Sequence, residues 1–517
     1  MTCLLTSYNN HRSLPPVCRF AHSARRVSED ERVTQTKSLI VVFDGLRPDM
    51  VTPSLMPHLH AFQSTYCRFP QSRCVFPSET RVNAAALATG CTAGRHGVVG
   101  NQFHAAAVFP DRWIRTSERE DLIAADATFT GGLIQVPSLG ERLAAAGRTL
   151  ATVSTGSSGS GWLVHHRAEA LGQFRWSVHG PQHSTPADAW AAITTRFGPS
   201  PAAAVPQTPR IDHATTILLD YVLPTLDPDV AILWFTDPDY TYHYRGIGAP
   251  ETIAALRGVD TAFGRIVDAW QRAPDRDRRA IFVVSDHGHI TNRDRVDLVA
   301  AMTSGGFSID TRAEGAADLG LVPGSAAALA IRRRDNGLAR AVVDWLSEQP
   351  WCGALFSDGP DALAGAIDGT HNRALLGLAS NRTADLLFTL AHDDAPGDGG
   401  WPGGGLHDSN LPPSGGNHGG LHPREMNNML LAAGAAFRTG FVSPSPAGII
   451  DVTPTVLHLL GLPAAGCDGR VLREALVGGD MPPHETRRLA ATAGRHAHHV
   501  TISRAGATRY VDGGGRG

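Results

Sequence analysis

The fold of this chain is decided by the stretch Val283-Val284-Ser285-Asp286-His287-Gly288-His289, where an apolar run ends abruptly in a carboxylate and two imidazoles. A second run, Leu39-Ile40-Val41-Val42-Phe43, ends in the same way at Asp44. Short runs rich in β-branched residues are typical of parallel strands that are covered on both faces. Open α/β sheets carry their chemistry at the carboxyl ends of such strands. The two runs therefore predict strands that deliver Asp44, Asp286 and His287 to one edge of a sheet.

Strand-like and helix-like segments alternate from Lys37 onward, as a doubly wound sheet requires. The predicted strands are Leu39–Phe43, Thr149–Ser154, Val230–Phe235 and Ala280–Ser285, and the predicted helices are Asn83–Thr89, Ser138–Ala146, 211–223 and Thr252–Ala273. Short connections, several of them containing glycine, join these segments. The predicted fold class is α/β, with a doubly wound, mainly parallel sheet.

The alternation weakens between residues 292 and 414, where short strands, one helix and a Gly/Pro-rich run indicate a small inserted cap. The predicted organisation is a mobile leader (1–36), a core in two parts (37–291 and 415–490) around the cap (292–414), and a C-terminal hairpin within 491–517. Because the leader lacks the apolar segment of about 7–15 residues that a signal peptide needs, a cytoplasmic location is expected.

Composition excludes several classes of partner. The net charge is −3 and only 18% of the 517 residues are charged, so there is no global electrostatic case for nucleic acid or an anionic membrane. No apolar stretch approaches the roughly 18 residues of a membrane span. The seven cysteines show no CxxC spacing, which argues against a disulfide framework and against a zinc–thiolate site. The oligomeric state stays open.

Oxygen and imidazole side chains suited to zinc recur along the chain. Asp239 and His243 follow the strand Val230–Phe235, and His418 lies in the glycine-rich Gly416-Asn417-His418-Gly419-Gly420. Thr80 lies in Phe76-Pro77-Ser78-Glu79-Thr80-Arg81. Together with Asp44, Asp286 and His287, and in this order, the set resembles the alkaline phosphatase superfamily. It is most similar to the type I phosphodiesterase/nucleotide pyrophosphatase family, over residues 37–462.

The resemblance implies two divalent metal ions, zinc by preference and manganese as the alternative. One would be held by Asp239, His243 and His418, and the other by Asp44, Asp286 and His287, with Thr80 bridging towards it. It also implies that Thr80 is the nucleophile and that Asn101 binds a phosphoryl oxygen. The activity implied is hydrolysis of a phosphodiester or pyrophosphate bond in a small phosphorylated substrate, through a phosphothreonine intermediate.

Elementary chemistry agrees with this site. Three nitrogen or oxygen ligands for each metal leave an open position for a substrate oxygen, and paired metals can hold the attacking and leaving oxygens of an in-line displacement. A threonine hydroxyl is too weakly acidic to attack at neutral pH, and metal coordination activates it. Asn101 is a neutral donor that does not favour a dianion, which indicates diesters over monoesters.

The chain departs from the family pattern beside the nucleophile. Glu79 stands where a lysine is expected, and Arg81 and Val82 stand where a Phe-Pro pair is expected. The aromatic residue that would stack on a nucleobase is therefore missing, while Arg81 is a candidate substrate-binding cation. Tyr242 replaces a glycine before His243, a change that the site is expected to tolerate, with a narrower pocket as the alternative.

Alternatives remain. A phosphomonoesterase or phosphonate hydrolase of the same superfamily would use the same residues, and Arg81 favours a dianion. A non-catalytic metal-binding relative would have no need for Thr80. A sulfatase is disfavoured because Cys74-Val75-Phe76-Pro77 lacks the Cys-x-Pro-x-Arg spacing, and a phosphoglycerate mutase is disfavoured because it would need a serine nucleophile. His289, His407 and His422 are assigned to outer positions or to the surface.

Overall fold

A seven-stranded sheet forms the centre of the computed structural model, which describes residues 35–333 and 335–517. Its strands, numbered along the chain, are β1 Lys37–Phe43, β2 Cys67–Arg68, β3 Leu150–Ser154, β4 Phe174–Ser177, β5 Val230–Phe235, β6 Arg279–Val284 and β7 Leu430–Ala433. Their order across the sheet is β2-β7-β6-β1-β5-β3-β4. Strands β6, β1, β5, β3 and β4 are parallel, and β7 runs antiparallel to β6. The predicted α/β fold is confirmed. Residues 1–34 of the predicted leader lie outside the described residues.

Both faces of the sheet are covered, which explains why its strands are continuously apolar. Ile40 and Val42 face one hydrophobic core, and Leu39, Val41 and Phe43 face the other. The first face is covered by helices Thr80–Thr89, Leu139–Ala145, Ser158–Val164 and Val452–Leu459. The second is covered by Pro57–Thr65, Ala187–Phe197, Thr208–Ile217 and Pro250–Arg272. Further helices are Ala93–His96, Arg119–Thr128, Asp239–Arg245 and Pro423–Met426.

The structure has a helix over the predicted range 211–223, but the helix changes its form within that range. The structure has an α-helix at Thr208–Ile217 that continues as a π-helix at Leu218–Leu226, with Pro224 inside it. Proline has no N–H to donate, so a regular i→i−4 ladder cannot run through this turn. The apolar spacing of the segment does not distinguish the two forms.

Strand β4 was not predicted, because a four-residue run in Phe174–Ser177 gives little periodicity.

Residues 292–414, predicted as the cap, carry most of two smaller sheets. The larger sheet has six strands in the order Ile309–Asp310, Leu319–Val322, Ala326–Ile331, Leu386–Leu390, Cys352–Ser357 and His371–Asn372. Helices Leu298–Ser304 and Asn336–Glu348 pack on it around a separate hydrophobic core. The second sheet joins His392–Pro396, Pro402–His407, Ile290–Arg295 and Gly416–Asn417.

The C-terminus forms three antiparallel strands, His484–Ala493, His496–Ala505 and Thr508–Arg516. The predicted single hairpin is therefore too short. The predicted boundary at residue 491 falls inside the first of these strands. The extra strand was missed because its residues are small or polar, so the alternation that signals a strand is weak. Val500, Ile502 and Tyr510 belong to the main hydrophobic core.

Among the described residues, no helix is both long and apolar enough to cross a membrane.

Candidate metal centre

The candidate site lies at the carboxyl ends of three adjacent strands, β6, β1 and β5. Asp44 directly follows β1, and Asp286 and His287 follow β6 after Ser285. Asp239 is the first residue of the helix that follows β5, and His243 lies one turn later on the same helix. Parallel strands thus bring ligands that are far apart in sequence to one sheet edge, as the sequence pattern predicts.

Two buried carboxylates each have one oxygen held by the protein and one left free. Asp44 Oδ2 accepts a hydrogen bond from the Trp234 indole (2.9 Å), and Asp286 Oδ1 accepts from the Gly45 amide (2.9 Å) and the His287 amide (3.1 Å). The other oxygens, Asp44 Oδ1 and Asp286 Oδ2, are buried without a hydrogen-bond partner. Because buried charges are normally paired or bound to metal, these two atoms fit a cation.

Three imidazoles are oriented in the same way. The Nδ1 atoms of His243, His287 and His418 lie 2.8, 3.0 and 2.8 Å from the carbonyl oxygens of Gly416, Gly288 and Ser78. A carbonyl oxygen only accepts, so each Nδ1 carries the proton and each Nε2 presents a lone pair. A histidine that binds metal through one nitrogen typically donates its other N–H to such an acceptor. All three side chains therefore present an unprotonated Nε2 that can bind a metal ion.

The distances between the presented atoms suit metal coordination. His287 Nε2 lies 3.3 Å from Asp286 Oδ2 and 3.6 Å from Asp44 Oδ1. Around Asp239 Oδ1, His243 Nε2 lies at 3.3 Å and His418 Nε2 at 3.4 Å. Two ligand atoms that are both about 2.0 Å from one tetrahedral zinc are about 3.3 Å apart. The predicted ligand sets Asp44/Asp286/His287 and Asp239/His243/His418 are thus each brought together.

His289 lies deeper in the site than the sequence alone indicated. It is fully buried, and it belongs with Asp239, His287 and His418 to a group whose potential ligand atoms lie within 4.8 Å of one another. Its Nε2 lies 2.7 Å from Asp239 Oδ1. That distance is a hydrogen bond and is shorter than the separation of two ligands on one ion. The contact therefore indicates that His289 orients Asp239, whereas His243 Nε2, at 3.3 Å from the same oxygen, lies at the separation expected of two ligand atoms.

The carboxylates of the site repel one another in the absence of a cation. Burial, together with the charges of Asp286 and Asp239, raises the pKa of Asp44 well above its usual range. Burial likewise raises the pKa of Asp286. Burial would also raise the pKa of Asp239, but the neighbouring His243 and His289 outweigh it and lower that pKa. Divalent cations would supply the missing positive charge.

Thr80 lies beside this cluster, and its Oγ1 is 3.1 Å from His287 Nε2. The helix begins at Thr80 itself rather than at Asn83, so Thr80 lies at the helix N-terminus, where the helix dipole favours negative charge. Asn101 Oδ1 accepts a hydrogen bond from the Arg81 amide (3.2 Å), and Asn101 lines the same cavity as Thr80. Glu79 accepts from the Asn101 amide, and burial raises the pKa of Glu79 to about 7.

The structure also shows where three other residues considered in the sequence lie: Tyr242, His407 and His422. Tyr242 does not narrow the pocket, because its side chain is buried in the core and its hydroxyl donates to Met50 Sδ (3.0 Å). His407 Nδ1 lies 2.8 Å from Ser409 Oγ, and His422 caps the helix Pro423–Met426. Neither histidine belongs to the metal-ligand groups found among the described residues.

Several supporting residues escaped the sequence analysis. Ser78 Oγ donates to Gly420 O (2.9 Å) and accepts from the Gly419 amide (3.0 Å), and so anchors the loop of His418. Glu425 accepts from the amides of Gly420 (2.9 Å) and His422 (3.0 Å) in the same loop. The Ser78 contacts span 342 and 341 residues, so no local pattern indicates them, whereas the Glu425 contacts lie within one turn-and-helix segment.

Comparison with known proteins identifies the fold and the family of this chain. Murine ectonucleotide pyrophosphatase/phosphodiesterase 5, solved as an inactive variant in complex with AMP, is 18% identical, with a TM-score of 0.60 over 86% of this chain and 100% of that chain. A second structure of the murine protein, also 18% identical, gives a TM-score of 0.60 over 85% of this chain and 100% of its own. These likenesses show the shared fold. The family described as type I phosphodiesterase / nucleotide pyrophosphatase matches residues 38–349, which include every candidate site residue except His418. The chain belongs to the type I phosphodiesterase / nucleotide pyrophosphatase family.

Proposed function

We propose that this phosphoric diester hydrolase cleaves its substrate by in-line attack of Thr80, through a phosphothreonine intermediate, with two divalent metal ions, zinc in preference to manganese. A small phosphorylated molecule is the proposed substrate. The observation that carries the proposal is the position of Thr80. Its hydroxyl lies 3.1 Å from His287 Nε2, within the cluster of prepared imidazoles and free carboxylate oxygens.

Asp239, His243 and His418 would hold one ion, and Asp44, Asp286 and His287 would hold the other, with Thr80 alongside. When bound, the ions supply positive charge that lowers the pKa of a threonine hydroxyl and neutralises phosphoryl oxygens. The residues present fit these ions because their free atoms are oxygens and imidazole nitrogens, which zinc and manganese accept.

The chain supplies the nucleophile and the contacts to the phosphoryl group. Thr80 Oγ forms a bond to phosphorus while the bond from phosphorus to the leaving oxygen breaks, which releases one ester arm as an alcohol. The N-terminus of the helix that starts at Thr80 would favour the negative charge of the phosphoryl oxygens. The Asn101 NH₂ group donates to the charge that develops there. Water then attacks phosphorus, frees Thr80 and releases the other arm as a phosphomonoester.

A phosphomonoesterase or phosphonate hydrolase is the second candidate, and Arg81 favours it. The Arg81 side chain lines the cavity next to Thr80 and has no hydrogen-bond or ion-pair partner within residues 35–333 and 335–517; its Nε atom is buried. An unpaired guanidinium beside the nucleophile suits the doubly charged phosphoryl group of a monoester.

The test is to trap the covalent intermediate. The metal-loaded protein is mixed with bis(4-nitrophenyl) phosphate, quenched in acid within one turnover and digested for mass spectrometry. We expect the peptide containing Thr80 to carry the phosphoryl group with its remaining 4-nitrophenyl arm. Continued turnover with an unmodified Thr80 peptide at every quench time would contradict the proposal and would indicate direct attack by water.

A further inference from the structure

The cavity at the metal centre is much larger than a phosphoryl group. It has a volume of about 830 Å³ and extends from Thr80 past the ends of β5 and β3 to Gln207, Arg210, His179 and Tyr240. A site of this size accommodates a substrate of drug-like dimensions. The far part of the cavity therefore faces a substituent of the substrate and not the reacting phosphorus.

Arg210 lines this far part of the cavity, and its guanidinium makes one hydrogen bond to the described protein. Its Nε donates to Pro201 O (3.0 Å), while its two terminal nitrogens have no hydrogen-bond or ion-pair partner among the residues that the structure describes. By contrast, Arg295, which lines the same cavity, is paired with Asp408 at 3.1 Å. Burial lowers the pKa of Arg210, and no carboxylate acts against that effect.

The carboxylates near Arg210 are committed elsewhere. Asp237 is the buried carboxylate that lies nearest to Arg210 in the sequence. One of its oxygens accepts a hydrogen bond from the Gln207 amide (2.7 Å), and the other accepts one from Thr241 Oγ1 (2.8 Å). The acidic residues that line the cavity lie in the metal cluster, beside Thr80 or at the cap: Asp44, Asp239, Glu79, Asp297 and Asp408. The guanidinium is thus half-buried next to a cavity without a counter-charge from the described protein.

We propose that Arg210 binds a second anionic group of the substrate, so that the preferred substrate is a phosphodiester with a carboxylate or phosphate on the ester arm that occupies the far cavity. The proposal rests on the proposed function and names its substrate class. A guanidinium with two free terminal nitrogens is suited to bidentate recognition of either anion. The contact also supplies binding energy where the nucleobase-stacking aromatic residue of the family is missing.

The test uses 4-nitrophenyl phosphodiesters that differ only at the end of the second arm. The arms are 3-carboxypropyl, its uncharged isostere 3-carbamoylpropyl, and 3-phosphonooxypropyl, and kcat/KM is measured for each on wild type, Arg210→Gln, Arg210→Lys and Arg272→Gln. Arg272→Gln is the matched control, because it removes the same charge from an exposed position at the end of the helix Pro250–Arg272. We expect wild type and Arg272→Gln to prefer the anionic arms at least tenfold, Arg210→Gln to lose the preference, and Arg210→Lys to restore part of it. A preference for phosphate over carboxylate would identify the group as a dianion.

Equal kcat/KM for the charged and uncharged arms on wild type, or an undiminished preference in Arg210→Gln, would overturn the inference. Binding of the matching non-hydrolysable methylphosphonates, measured by calorimetry, separates this from a failure of the proposed function. If no diester is cleaved but the carboxypropyl phosphonate binds wild type more tightly than Arg210→Gln, the hydrolytic mechanism fails and the anion site stands. If diesters are cleaved without any preference for a charged arm, the anion site alone fails.

Discussion

The indole of Trp234 and the carboxylate of Asp44 are joined by a 2.9 Å hydrogen bond between neighbouring strands β5 and β1. Trp234 pairs with Val42 in the register of these strands, so its ring reaches the residue that follows β1. The bond occupies Asp44 Oδ2 and leaves Oδ1 free, and so fixes which oxygen is offered to a metal.

Trp234→Phe should weaken metal binding at the Asp44 group without unfolding the protein. Loss of an outer hydrogen bond to a ligand typically lowers metal affinity about 10–100-fold. The measurement is zinc affinity by competition with a chromophoric chelator. Trp176→Phe is the control, since Trp176 is equally buried on β4 and its ring makes no hydrogen bond to the described ligands. Equal affinity in the two variants would contradict the role given to Trp234.

Asp286→Asn should reduce the metal content from about two ions per chain towards one, because it removes the negative charge of a free, buried carboxylate oxygen. His243→Ala should also lower the content and abolish turnover. Metal is measured by elemental analysis after dialysis, with the exposed Asp268→Asn on the helix Pro250–Arg272 as the control. Full activity of the wild-type protein after exhaustive treatment with a strong chelator would refute the requirement for metal.

Thr80→Ala should keep its fold and metal but lose several orders of magnitude in kcat, as removal of a nucleophile generally does. Thr80→Ser retains a hydroxyl at the same place and should keep part of the rate. Thr89→Ala, at the other end of the same helix, tests the effect of losing a buried threonine away from the site. Near wild-type hydrolysis of an aryl phosphodiester by Thr80→Ala would show that the attacking oxygen comes from water.

Arg81→Ala should separate monoester from diester hydrolysis. If the guanidinium holds a dianion, kcat/KM for 4-nitrophenyl phosphate should fall at least tenfold more than kcat/KM for a matched diester, a difference of about 1.4 kcal/mol in transition-state binding. The exposed Arg257→Ala is the control. The diester is expected to be the better substrate of wild type. A wild-type preference for the monoester that disappears in Arg81→Ala would instead support the phosphatase alternative.

The fold, and the carboxylates that lie at the edge of its sheet, could be read from the sequence because they depend on local patterns. Apolar runs that end at Asp44 and Asp286 mark both the strands and the sheet edge where their chemistry lies. The hydrogen bonds that orient these carboxylates could not be read from the sequence. The bonds from Trp234 to Asp44 and from Gly45 to Asp286 span 190 and 241 residues. The sequence left His289 between an outer position and the surface, and only its 2.7 Å contact with Asp239 distinguishes the two. The π-helix and β4 lack a periodicity of their own.

The position of β7 between β6 and β2 has a consequence for the order in which the protein is completed during synthesis. A growing chain contains Asp44, Asp286 and His287 once residue 287 has left the ribosome, but it still lacks His418 and the partner strand Leu430–Ala433. Until Leu430–Ala433 has been made, one edge of β6 is unpaired, and unpaired strand edges invite association with other chains. In the proposed site, the residues of the Asp44 group are therefore complete first, and the Asp239 group must wait for His418.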